Sequence, residues 1–331
     1  MREVMREGIY TGLIRQYIAY KRSLGFKMIG IESILIRLND MNTTPTVLRQ
    51  GISKQLFDEW SIPRPEEVDS NRYLRIFILR QFSYYLQFAG YDSHIPRLPS
   101  SKRTFVPYIF TKNEMVSLFL ASDKLFLKLS NMNSSLCVMP TLVRMLYSTG
   151  IRIGEALSLK HKDVFLDKEY LVLRACKNGQ DRVVPISNSL AAACKDYCLY
   201  KQKQVIDTTP TAYFFTTLNG AKCNRAVVSG YFKTVLYKAG IPYMGRGKGP
   251  RVHDLRHTFC VKSLSKMTDS GMDIYNALPI LSTYVGHQSI SATNMYLRLT
   301  AEMYPDLLKK VDASYNYIFP ELETDQYNIT Y

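Results

Sequence analysis

Residues 149–157 read TGIRIGEAL, from Thr149 to Leu157. Thr149-Gly150 breaks a helical run, and a helix containing Arg152 to Leu159 is expected to follow. Arg152 then lies near a helix start, where backbone N–H groups and the helix dipole favour an anion. Glu155 is three residues on, close enough to pair with a cation and orient it. Alone, such a stretch reads as an ordinary helix start with an ion pair. Its meaning comes from what lies on either side.

Downstream, Tyr170 to Ala175 alternates and is rich in Leu and Val, the pattern of a strand. Asn178-Gly179 is a hairpin-turn pair, and Arg182 to Ile186 returns as the partner strand. Lys177 sits just before the turn, where a hairpin tip can carry an ammonium to a leaving oxygen. Lysine can act as a general acid when its pKa approaches neutrality. Arg182 cannot readily give up a proton, so it is the poorer acid. Next comes HDLRH, residues 253–257. On a helix, His253 and Arg256 share a face and can grip two oxygens of one phosphate. A zinc reading of His253 and His257 lacks both the Glu after the first His and an evident third ligand. No metal or cofactor is expected, and His257 reads as structural support. Finally, Gly286-His287 is followed nine residues later by Tyr296, on a segment from Thr293 to Leu299 that looks helical. Tyr296 is singled out from 24 tyrosines by that relation, which Tyr284 and Tyr304 lack.

In this order, Arg152, Lys177, the HDLRH box and the Gly286-His287…Tyr296 box resemble the tyrosine recombinases of the phage-integrase family. That family includes Xer-type resolving enzymes and transposon integrases. The resemblance implies a mainly α protein with a small antiparallel β-sheet. A helical core-binding domain and a catalytic domain would form a C-shaped clamp on double-stranded DNA. It implies a site-specific recombinase that makes a 3′-phosphotyrosyl link without cofactor or metal. Tyr296 would be the nucleophile. Arg152, Arg256 and His287 would stabilise charge on the phosphate oxygens, His253 would hydrogen-bond the phosphate and help manage the tyrosine proton, Lys177 would protonate the departing 5′-oxygen, and Glu155 would support Arg152. The enzyme would act as a homotetramer on two duplexes at specific recombination sites, with accessory recombinases as possible partners and no membrane. Integration or transposition for a mobile element is the favoured setting. Relaxation in the manner of a type IB topoisomerase and a catalytically silent DNA-binding regulator are the alternatives.

Residues 95–107, IPRLPSSKRTFVP, have linker composition. The expected division is a helical DNA-binding domain over residues 1–97, a linker over 98–107 and a catalytic domain over 108–331. In the first domain helices are expected from about Tyr10 to Leu24, Ile31 to Met41, around Leu56 and Trp60, and from Asn71 to Phe88. The last has an apolar stripe of Tyr73, Leu74, Phe77, Ile78, Phe82, Tyr85 and Leu86. Arg15, Lys21, Arg22, Arg72, Arg75 and Arg80 are expected on exposed faces. Thr111 to Glu114 reads as a capping box opening a mainly helical run to about Ser148. After Tyr296, apolar residues such as Leu307, Val311 and Phe319 suggest a tail that docks on a neighbouring protomer or, alternatively, folds back on its own domain.

The 331-residue chain is 46% hydrophobic, ample for a core, and carries 43 Lys and Arg against 28 Asp and Glu, a net +15. The excess falls on both sides of residue 106 and favours a polyanionic partner. None of the six cysteines forms a CxxC pair, and a chain this long needs no staples. The N-terminus lacks the apolar core of a signal peptide, and no apolar run reaches a membrane span of ~18–20 residues. A cytoplasmic, nucleoid-associated protein is expected.

Overall fold

The computed structural model describes residues 8–28, 30–41, 51–100, 106–125, 134–174, 181–243, 249–286, 295–296 and 299–300. Lys177, the Asn178-Gly179 turn, His287 and the tail after Thr300 lie outside these residues. The chain divides into two compact units, residues 1–105 and 106–331.

The first unit is helical: α1 is Thr11–Ser23, α2 is Ile31–Met41, α3 is Lys54–Ser61 and α4 is Asp69–Phe88. Its core gathers Tyr10, Ile14, Tyr17, Leu35, Trp60, Phe82 and Leu86. Two expectations fail on α4. Leu74 and Phe77 are exposed, and the buried face instead carries Ile76, Leu79 and Arg75. Arg75 is not a solvated cation but is 3% exposed. Its guanidinium donates to both oxygens of Glu67, at 2.9 and 2.6 Å, and lies 5.2 Å from the centroid of the Trp60 ring. A buried charge needs such partners, and supplying them rotates the helix away from its purely apolar stripe.

In the second unit, α5 is Lys112–Asp123, opened by the expected capping box between Thr111 and Glu114. The helical run then breaks. A 3-10 turn at Leu136–Val138 precedes α6, Met139–Thr149. α6 is the central helix, packing against α5, α8 (Asn188–Lys203), α9 (Arg225–Lys238) and α10 (Val252–Asp269). Its apolar residues Met139, Leu142, Val143, Met145 and Leu146 are almost wholly buried.

The helix after Gly150 is far shorter than expected: α7 is only Ile153–Ala156, with Arg152 extended at its N-cap. Long-range pairing draws the chain out of the helix. Phe214 N–H donates to Leu159 O at 2.8 Å, and His161 N–H donates to Ala212 O at 3.1 Å. Buried Lys201 secures this junction by donating to the carbonyls of Tyr213 and Phe214 at 3.0 and 3.2 Å. Three antiparallel strands follow, β1 Val164–Phe165, β2 Tyr170–Leu173 and β3 Arg182–Pro185, in the order β1-β2-β3. Leu171 opposes Val184, and Leu173 opposes Arg182. α11, Ile274–Val285, packs on α10 around Cys260, Val261, Leu264, Leu278 and Leu281.

Gly150 ends α6 with φ +63°, and a Cβ there would fall 2.3 Å from the Phe259 ring. Gly150→Ala therefore combines left-handed backbone strain with a core clash. It should lower stability by about 2 kcal/mol or more. A Cβ on Gly154, inside α7, meets nothing within 4 Å, so Gly154→Ala should be neutral or stabilising by up to ~1 kcal/mol. Denaturant midpoints of the two variants check the contrast.

Candidate active site

α6 ends at Gly150 and α11 ends at Gly286, both left-handed. Such ends leave carbonyls without helical partners. Arg256, on α10, fills that need for both helices: it donates to Gly150 O at 2.8 Å and to Val285 O at 2.7 Å. The residue is 2% exposed. A cation at two helix C-termini also meets the negative ends of two dipoles.

Arg152 is anchored next to it. It donates to Gly286 O at 2.9 Å, the carbonyl immediately after the one Arg256 uses. Its other terminal nitrogen donates to Glu155 at 2.9 Å, and its backbone N–H donates to the second Glu155 oxygen at 2.8 Å. From β3, Arg182 reaches the same two oxygens at 2.8 and 3.2 Å. Burial alone would raise the Glu155 pKa, but hydrogen bonds from Arg182 and Arg152 hold it below its usual value. One carboxylate thus orients two guanidiniums. A Cβ on Gly286 would come within 3.0 Å of an Arg182 nitrogen, so this close approach needs the glycine.

His253 is half-buried on the same helix as Arg256. Burial, then the charges of Arg256, Arg251, Arg152 and Arg225, push its pKa down to about 4. It is therefore neutral at neutral pH and can offer a hydrogen bond but not a charge. Beside it lies a cavity of about 310 Å³ lined by Ile153, Arg225, Lys233, Tyr243 and Arg251. A larger cavity, about 760 Å³, lies by Pro140, Arg144, Ala193 and Tyr197 and touches none of the candidate residues.

Tyr296 packs in the α10–α11 core and is 1% exposed. Its hydroxyl lies 2.9 Å from His257 Nδ1. Burial, reinforced by Cys260, raises the pKa of this hydroxyl well above the ordinary phenol value, while Arg256 pulls it back.

The structure brings together Arg152, Glu155, His253, Arg256 and Tyr296. Lys177 and His287 lie outside the described residues. Two contacts of this cluster were not foreseen from the sequence. Arg182, weighed only as an acid, shares Glu155, and Leu173 opposite it in the sheet register fixes its place. His257, expected to support its neighbours, does so at the Tyr296 hydroxyl. The adjacency of His257 to Arg256 was the available signal.

Acid should expose the neutral histidines. His253 and His161 both have folded pKa values of about 4 against an ordinary 6.5. Between those values the unfolded chain binds a proton at each ring that the folded chain refuses. Stability should fall as pH is lowered through that window, by on the order of 2 kcal/mol per ring. His253→Gln should flatten the decline in denaturation midpoint between pH 6.5 and 4.5; an unchanged slope would count against a buried neutral ring.

The sequence comparisons identify the family, and the solved structures share the fold. The phage integrase family matches residues 109–303. A putative integrase/recombinase of Sinorhizobium fredii, y4rB, is 28% identical over 306 residues, spanning 90% of this chain and 96% of that protein. The tyrosine recombinase XerA of Pyrococcus furiosus is 28% identical over 248 residues, spanning 73% and 75%. In fold, the chain resembles the Tn1549 transposon integrase solved with transposon right-end DNA. The TM-score is 0.63 at 15% identity, covering 90% of this chain and 100% of that one. It also resembles the XerH site-specific recombinase bound to its difH substrate, with a TM-score of 0.62 at 15% identity over 86% and 78%. More than half of the sequence, including every box that carries the candidate residues, falls within the family match: this chain belongs to the phage integrase family and is a tyrosine-type site-specific recombinase.

Proposed function

We propose that this chain cuts and rejoins double-stranded DNA at specific sites through a covalent 3′-phosphotyrosyl link made by Tyr296. The observation that carries this reading is the pair of guanidiniums, Arg152 and Arg256, anchored on the consecutive carbonyls Gly286 and Val285. Two fixed cations side by side match the non-bridging oxygens of one phosphodiester. Preorganised charge of this kind stabilises the transition state of phosphoryl transfer. His253, neutral on the same face, adds a hydrogen bond. Arg256 also favours the anionic form of Tyr296, which a phenol of ordinary pKa ~10 needs in order to attack.

Lys177 is assigned the proton for the departing 5′-oxygen, and His287 a contact to the phosphate. Glu155, with its two arginines, holds the first cation in place. The energy of the broken phosphodiester is retained in the tyrosyl link. A 5′-hydroxyl of a second duplex then attacks phosphorus and releases Tyr296. Because Tyr296 is 1% exposed, reaction requires the segments around it to part when DNA is engaged. The basic residues by His253, namely Arg225, Lys233 and Arg251, suit the flanking phosphates, whose contacts would make binding strongly salt-dependent.

The working unit in this reading is a homotetramer joining two duplexes. The relatives described as integrase/recombinases, and the resemblance to a transposon integrase, support a role in moving a mobile element.

Covalent trapping tests the assignment. Labelled duplexes from the gene's own locus are mixed with protein in EDTA and stopped with SDS. Wild type should form a protein–DNA adduct that Tyr296→Phe abolishes. Arg152→Ala and Arg256→Ala should each slow adduct formation by ~10²-fold or more. An adduct that persists in Tyr296→Phe would identify another nucleophile. Salt-sensitive binding without any adduct would identify a DNA-binding protein without strand cleavage. Transfer of label between two sites, rather than relaxation alone, identifies recombination.

A further inference from the structure

The contact between Tyr296 and His257 has no part in holding a phosphate. His257 is 4% exposed on α10, one residue beyond Arg256. Its Nδ1 lies 2.9 Å from the Tyr296 hydroxyl. On the far side of the ring, Nε2 lies 4.0 Å from Asp254 Oδ1. Asp254 is 1% exposed and is held by the Arg251 backbone N–H at 2.7 Å and the Arg251 side chain at 3.5 Å. A carboxylate facing Nε2 favours the tautomer with its proton there, which leaves the Nδ1 lone pair facing the phenol. In that tautomer Tyr296 is the donor in this hydrogen bond.

We propose that His257 is a catalytic residue, the proton acceptor for Tyr296, and that Asp254 is the positioning residue that sets its tautomer. The inference rests on attack by Tyr296. In cleavage, the Tyr296 proton passes to His257 Nδ1, the Oη–P bond forms and the P–O5′ bond breaks. The departing 5′-oxygen takes its proton from Lys177. In rejoining, the incoming 5′-hydroxyl gives its proton to Lys177 and attacks phosphorus. The Oη–P bond then breaks, and the phenolate recovers the proton held on His257. Every proton is returned, so cutting and rejoining use the same pair of groups in opposite directions. A dedicated acceptor fits the setting, because burial and Cys260 oppose ionisation of Tyr296 against the help of Arg256. Among the described residues, the charged and titratable groups facing His257 and Tyr296 include His253, Asp254, Arg256 and Cys260 of α10, with Arg152 and Arg251 beyond them.

The rival role for the same contact is a latch that parks Tyr296 away from DNA, and the two roles differ in sign. Single-turnover cleavage is measured on the duplex that gives the EDTA-resistant adduct with wild type, comparing His257→Asn and His257→Gln. Loss of a proton acceptor should slow cleavage by ~10²-fold or more, with the deficit shrinking as pH rises and solvent hydroxide replaces the imidazole. A duplex with sulfur as the 5′-bridging atom needs no proton on its leaving group, and it should leave the deficit in place. Equal or faster cleavage by the variants would overturn the proposal in favour of support or a latch. Rescue by the sulfur duplex would overturn it in favour of a role at the leaving group. In both cases the wild-type adduct would leave attack by Tyr296 standing, whereas its absence would remove that attack and this proposal together. Nitrogen-15 NMR of the unmutated protein gives an answer independent of how the variants fold. His257 should carry its proton on Nε2; a proton on Nδ1 would overturn the assignment.

Discussion

The Arg256 guanidinium, buried between the C-termini of α6 and α11, is the interaction on which the catalytic unit depends. A charge with 2% exposure is tolerated only where its donors are used, and here they meet Gly150 O and Val285 O. The helices in turn have exposed carbonyl ends that need donors. Each requirement answers the other, so three helices converge on one point. The left-handed glycines 150 and 286 let α6 and α11 stop there. The turn after Gly150 then delivers Arg152, while Gly286 supplies the carbonyl that receives it. The packing constraint and the geometry proposed to hold a phosphate are therefore one arrangement.

Glu155 governs the electrostatics. Arg152 and Arg182 both bind its two oxygens, so two cations that would repel are tied through one anion. The pairing fixes the planes of both guanidiniums in advance, which in the proposed function reduces the reorganisation needed when a phosphate enters. It also links the sheet to the helices, since Arg182 belongs to β3 and Arg152 caps α7. Around this cluster His253 is kept neutral by burial and by surrounding arginines. The site gathers positive charge from arginine alone among its described members, and arginine keeps that charge at any physiological pH.

Tyr296 shows the tension in such a site. As the proposed nucleophile it is protected from water and held in a fixed rotamer under cover, but in that role it must still meet phosphorus. Its packing with Cys260 and Leu281 belongs to the same small core that joins α10 to α11. Moving Tyr296 would therefore disturb that core, which ties the availability of the hydroxyl to the docking of one helix pair.

Much of this protein was legible in its sequence because the signals are local. Periodicity located α1 and α2 closely; Thr111 and Glu114 announced a capping box; and the spacing from Arg152 through HDLRH to Tyr296 marked the family. Local patterns could not show where long-range pairing would interrupt them. α7 stops after Ala156 because Leu159 pairs with Phe214, and β1 exists only because Val164 finds Leu171. Arg75 looked like a surface cation until Glu67 and Trp60 gave it a buried place. Likewise, residue types and order designated Arg152, Arg256 and Tyr296. Only the fold decided that two of them hang from consecutive carbonyls, that Arg182 shares Glu155, and that His257 faces the tyrosine. The reason is physical: a sequence specifies which groups can donate, accept or carry charge, but the partners of buried polar groups are chosen by chain segments that meet only in three dimensions.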